Sequence, residues 1–183
     1  MVKKNFHYVI QIILLMLFVF IALGMVFSRG ICCADDAFFA EVAKNLAIGL
    51  GYSTTTQPNE LNYWIYLFDP TVTTGSILIL PTAFLIKLVG NTYWAPGLVM
   101  VSFWSILLLI IGRFANKFSS NKANVIIATF FFLFLSYFLL IYHYEQWYAL
   151  LGEIPSALFI ILAIMVYFEG DENRYPIITG ILF

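Results

Sequence analysis

The sequence predicts an all-α membrane protein: several transmembrane helices, with two outer-face interfacial helices in the first loop. Three observations predict it. The 183 residues are 62% hydrophobic and 10% charged, with mean hydropathy +0.94, whereas a soluble domain carries about 25% charged residues. An uninterrupted apolar run over 8–27 follows Lys3 and Lys4 and, at about 20 residues, is long enough to cross a bilayer as a helix. Further apolar segments then recur along the chain, separated by polar stretches.

The first run has a longer apolar core than the roughly 7–15 residues of a secretory signal, and no convincing small-residue cleavage site follows it, so it reads as an uncleaved anchor. Its basic flank belongs in the cytoplasm, which places the next segment outside. There, over 37–49, Phe39, Val42, Ala43, Leu46 and Leu50 recur at helical spacing while Glu41, Lys44 and Asn45 fall on the other side. This predicts a short interfacial helix. Gly49 and Gly51 supply its stop and turn. A polar stretch then continues to about 74, with Asp69-Pro70 starting a turn.

The apolar segment 77–89 carries Pro81 and Lys87 and falls short of the roughly 17 residues needed to span. If it crossed, the next span would deliver Arg113, Lys117 and Lys122 to the outer face, against the positive-inside bias. It is therefore expected at the outer interface as an amphipathic or re-entrant helix. Spans are then expected over 94–112, 125–142 and 154–168, with another starting at 177. All three basic residues of the RFANKFSSNK loop become cytoplasmic, as does the EGDENRY turn. Tyr93, Trp94, Tyr142, Tyr144, Trp147 and Tyr148 fall at the outer headgroup level, where aromatic belts form.

With this threading Asp35, Asp36, Glu145 and Glu153 emerge on one side of the membrane. Each has a plain structural reading. Asp is a favoured N-cap whose charge suits the positive helix end, and Glu153, just ahead of Pro155, suits the start of a helix in the same way. Two consecutive acids exceed what one cap needs, however, and holding both near lipid has an electrostatic cost that function would explain. Glu153 could equally orient an acceptor or offset a cation, while His143 and Glu145 read as interfacial or solvated side chains that could meet substrate. The adjacent Cys32 and Cys33 lack further ligands at metal spacing and read as small apolar residues. An acidic pair can bind a divalent cation through oxygen, yet two adjacent carboxylates fall short of a coordination set, so no cofactor is assigned. A net charge of −1 with no basic cluster excludes a nucleic-acid partner. Phosphate-cradling loops and serine elbows are absent from the sequence.

The ordered set DDAFFAEVAKNLAIGLGYS, VTTGSILILPTAFLIKLVG, a span ending in basic residues and ALLGEIPSALF resembles the GT-C superfamily of integral-membrane glycosyltransferases. That superfamily includes the protein O-mannosyltransferases and the lipid A aminoarabinose transferase. The resemblance covers nearly the whole chain and implies an outer-face cavity between the first loop and the helix ends. It implies an inverting enzyme of the cell membrane that moves a sugar from a polyprenyl-phosphate donor to a lipid, glycan or protein acceptor. Asp35 matches the family's catalytic acid and would act as general base, with Asp36 as its supporting neighbour. Relatives often have Tyr where this chain has Phe38 and Phe39, and some carry a Lys-Pro-Pro element where this chain has Asp69-Pro70. Members usually have many more spans, so the chain reads as an N-terminal portion with little activity alone. The alternative is a non-enzymatic membrane protein, such as a transporter segment or assembly subunit, whose ionisable residues should lie near mid-membrane.

Overall fold

The structure is a computed structural model and describes residues 6–30, 34–59, 62–68, 75–118 and 153–169. These residues are mostly helical. In chain order they form α1 (Phe6–Arg29), α2 (Ala34–Ala47), β1 (Ser53–Asn59), β2 (Asn62–Leu67), α3 (Ser76–Val89), α4 (Ala95–Phe118) and α5 (Glu153–Glu169). The apolar segments expected at 125–142 and from 177 lie outside the described residues, as do Cys32, Cys33 and the Asp69-Pro70 turn.

By length and composition α1 and α4 are long and apolar enough to cross a membrane, whereas α3 and α5 are shorter apolar helices. Each helix begins or ends for a local reason. At the end of α1 the Gly30 N–H donates to the Val26 carbonyl at 3.1 Å, and Gly30 has φ +73°, the left-handed conformation that closes a helix without steric cost. A Cβ at Gly30 would also meet Tyr93 Cδ2 at 2.8 Å. At the end of α2 the Leu50 N–H donates to the Asn45 carbonyl and the Gly49 N–H to the Leu46 carbonyl. That pairing is a Schellman motif turning on Gly49, the expected stop.

The chain divides into two compact units. The first comprises Met1–Ala22, Ser102–Tyr144 and Glu153–Phe183. In it Phe18 of α1 packs against Trp104 of α4 with ring centroids 6.3 Å apart, and Asn116 Nδ2 donates to Gln11 Oε1 at 2.8 Å. Much of α1 is uncovered here: Ile12, Ile13, Met16, Leu17 and Phe20 are all exposed.

The second unit holds Leu23–Val101 with Glu145–Gly152. Within it the end of α1 meets the start of α4. The Tyr93 hydroxyl donates to the Phe27 carbonyl at 3.0 Å, the Phe27 and Trp94 rings lie 5.5 Å apart, and Gly97 lets α4 approach so closely that a Cβ there would sit 2.8 Å from both methyls of Val26. α2 packs on α3 and on β1. α3 buries Leu78, Ile79, Thr82, Ala83 and Ile86 and exposes Ile77, Leu80, Phe84 and Leu88. These are the two faces of one helix of period 3.6. Pro81 interrupts its hydrogen-bond ladder, and the Thr82 hydroxyl donates to the Leu78 carbonyl at 2.7 Å.

The polar stretch after α2 departs from the all-helical expectation. It forms an antiparallel hairpin, with Ser53 opposite Leu67, Thr54 opposite Tyr66, Thr55 opposite Ile65 and Thr56 opposite Trp64, and an irregularity between Thr56 and Asn59. The physical reason is visible in its composition. β-branched and aromatic residues fit a pleated, half-buried surface, and the runs STTT and NYWIYL, rich in such residues, stand a few positions apart in the sequence.

Candidate functional site

The candidate site is built on α2, in the second unit. α2 starts at Ala34, so Asp35 and Asp36 fall inside its first turn and not at the N-cap position expected from sequence. Negative charge is still favoured there by the helix dipole. Asp36 is 2% exposed, and it is not left without an interaction. The Asp35 side chain lies outside the described residues. Three, four and seven residues beyond Asp36, helical spacing brings Phe39, Ala40 and Ala43 onto the same face, and all three are buried.

Phe39, at the edge of that face, meets the base of the hairpin, which is closed by the Phe68 N–H donating to the Tyr52 carbonyl at 2.9 Å. Phe68 collects an aromatic cluster: its ring centroid is 5.5 Å from Phe38, 6.2 Å from Phe39 in an edge-on arrangement, and 5.5 Å from Tyr52. Phe38 and Phe39 also meet edge-on at 5.7 Å. Such pairs contribute about 0.5–1.5 kcal/mol each beyond their burial. The Tyr52 hydroxyl is buried with no hydrogen-bond partner among the described residues, a condition that costs about 1–3 kcal/mol. Burial raises its pKa above the ordinary tyrosine value, so it remains a proton donor.

Two polar residues of α2, expected on the solvent side, instead hold the hairpin. The Glu41 carboxylate accepts from the Thr54 hydroxyl at 3.0 Å, from the Thr55 N–H at 3.2 Å and from the Thr55 hydroxyl. Because β2 is the one ladder partner of β1 among the described residues, the other edge of β1 carries amides without a ladder partner there, and Glu41 satisfies one of them. Asn45, nearly fully buried, donates through Nδ2 to the Ser53 carbonyl at 3.0 Å. Leu50, expected on the apolar side of α2, is exposed, because the Schellman turn carries it off the helix.

The other predicted site residues are not brought to α2 by anything the structure describes. Glu153 is an exposed residue in the first turn of α5, two residues before the buried Pro155, and it belongs to the first unit. His143 and Glu145 lie outside the described residues. Among the described residues no cluster of three or more His, Cys, Asp or Glu is gathered to hold a metal ion. Glu41, Asn45, Tyr52 and Phe68 were missed as a group. The two β-prone runs that bracket PNEL were the signal for the hairpin that unites them. No protein-family model matches the chain, and no curated protein or solved structure matches it either.

Proposed function

We propose that the protein is an inverting glycosyltransferase of the cell membrane, moving a sugar from a polyprenyl-phosphate donor to a lipid, glycan or protein acceptor at the outer face. The observation that carries this reading is the buried Asp36 carboxyl in the first turn of α2, beside Asp35. Only residues 30–33 separate α2 from α1, a helix long and apolar enough to span. Four residues reach at most about 14 Å, so if α1 crosses the bilayer, α2 and its acids start at headgroup level. The exposed apolar face of α1 supports a lipid setting, since soluble surfaces rarely leave such a face uncovered. The N-terminus is then cytoplasmic, and 125–142 and α5 are further spans.

In this reaction the acceptor hydroxyl gives its proton to the Asp35 carboxylate as its oxygen attacks the anomeric carbon. The carbon–oxygen bond to the phosphate breaks, and the polyprenyl phosphate leaves with the electron pair. One displacement of this kind inverts the anomeric centre. Asp36 supports Asp35 from the buried side of the first turn. The test is sugar transfer from radiolabelled polyprenyl-phosphate sugars in membranes containing the protein, comparing the native chain with Asp35→Asn and Asp36→Asn. Loss of general-base function lowers rates by about 10²–10⁴-fold, so Asp35→Asn is expected to lose transfer on that scale with donor binding retained. Transfer unchanged in both variants would leave the pair as helix-start charges, and an absence of both transfer and donor binding across a broad donor panel would remove the proposal.

A further inference from the structure

The chain leaves the end of α1 at Gly30 and returns to the start of α4 through Tyr93 and Trp94, and between these points lie α2, the hairpin and α3. The two points touch. The Tyr93 hydroxyl donates to the Phe27 carbonyl at 3.0 Å across 66 positions of sequence, and that carbonyl is among the last four of α1, which a helix leaves without an internal partner. A Cβ at Gly30 would meet Tyr93 Cδ2 at 2.8 Å and Tyr93 Cβ and Cγ at 3.4 Å, so the ring lies directly against Gly30. Gly30 has φ +73°, the conformation that turns the chain out of α1. Tyr93 is 57% exposed, so burial does not account for its placement. A residue serving only an aromatic belt would need neither contact.

Beyond Gly30 only residues 31–33 precede α2, whose first turn carries Asp35 and Asp36. The point at which the chain leaves α1 therefore limits where the acids begin, since each residue reaches at most about 3.6 Å. We infer that Tyr93 is a positioning residue for the acidic pair: by holding the last carbonyls of α1 and the Gly30 turn, it fixes where α2 starts relative to the end of α1. Rates respond steeply to such placement, and a displacement of about 1 Å costs up to about 10²-fold. The Tyr93 hydroxyl and ring are engaged by the chain itself, so its effect passes through Asp35 and not through a contact with substrate. The inference rests on the glycosyltransferase reading and adds to it a residue, remote in sequence, that sets the base in place.

The test uses the full chain in lipid nanodiscs as wild type, as Tyr93→Leu, which loses ring and hydroxyl, and as Tyr93→Phe, which keeps the ring on Gly30. Because the side chain is exposed, neither variant opens a core cavity. Transfer from radiolabelled polyprenyl-phosphate mannose and polyprenyl-phosphate glucose is counted per donor-binding site, so misfolded chains do not enter the rate. Tyr93→Leu is expected to lower kcat about tenfold with the donor KM unchanged, and Tyr93→Phe to fall between it and wild type. Equal kcat in all three would overturn the role of Tyr93 while leaving the glycosyltransferase reading intact. A rise in donor KM with kcat unchanged would make Tyr93 a substrate contact and overturn the inference as stated. A second readout needs no activity. Nitroxides on Ser28→Cys and Lys44→Cys, both exposed positions, in a chain carrying Cys32→Ser and Cys33→Ser, report the placement of α2 on the end of α1. One narrow distance distribution is expected with Tyr93 in place and a broader or shifted one in Tyr93→Leu, and the same distribution in both would overturn the positioning. A wild type that neither binds nor uses any donor would sink the glycosyltransferase reading, with the distance pair still deciding whether Tyr93 holds α2.

Discussion

Glu41 is the residue whose loss should most clearly free the hairpin from α2. Its carboxylate receives two donors from Thr55 and one from Thr54, and these bonds tie the hairpin to α2. A hydrogen bond to a charged group contributes about 1.5–3 kcal/mol, but the three do not add, because both hydroxyls and the amide turn to water once β1 lifts away. Glu41→Ala is therefore expected to destabilise hairpin docking by about 2 kcal/mol, roughly a 30-fold rise in its opening constant. Hydrogen exchange reads this directly: amides of β1 and β2 should lose protection while those in the centre of α4 keep theirs. Glu41→Gln retains one carbonyl acceptor and should fall between wild type and Glu41→Ala. A cycle with Thr55→Val should show that the double variant costs little more than Glu41→Ala alone. Unchanged hairpin protection in Glu41→Ala, or strict additivity in the cycle, would refute the clamp.

Other expectations concern close packing and proton linkage. Gly97→Ala should lower the unfolding temperature, because its Cβ would lie 2.8 Å from both Val26 methyls. Overpacking of this kind costs about 1–3 kcal/mol, more than the roughly 0.5–1 kcal/mol gained in helix propensity. Adding Val26→Ala should restore stability, and a Gly97→Ala chain more stable than wild type would contradict the packing. For Tyr52, burial raises the folded-state pKa above the unfolded value. The folded chain therefore holds this proton longer, and its contribution to stability is intact below the unfolded pKa of about 10 and is lost as pH rises through the folded one. Unfolding measured between neutral and strongly alkaline pH should show a steeper alkaline decline in wild type than in Tyr52→Phe, and parallel profiles would count against the burial.

How far these features could be read in advance depends on the range of the interaction behind each. Helix periodicity and termination are local, since backbone bonds run four residues along the chain and a Schellman turn needs only a glycine past the last turn. The helix expected over 77–89 accordingly runs Ser76–Val89, and the stop expected at Gly49 ends α2. The apolar length of α1 and α4 is likewise a property of sequence alone. What the sequence left open was the company each polar residue keeps. Glu41 and Asn45 sit on the polar side of a helical wheel, and no local rule says whether that side meets water or another element. Glu41 bonds to residues 13 and 14 positions away, Phe68 reaches back to Phe38 and Phe39, and Asp36 is buried because tertiary packing covers the face it shares with Phe39. Short apolar runs fix helix or strand type only weakly. Only tertiary packing, the docking of the hairpin on α2 included, decided which polar groups are buried, which find a partner, and that the Tyr52 hydroxyl has none among the described residues.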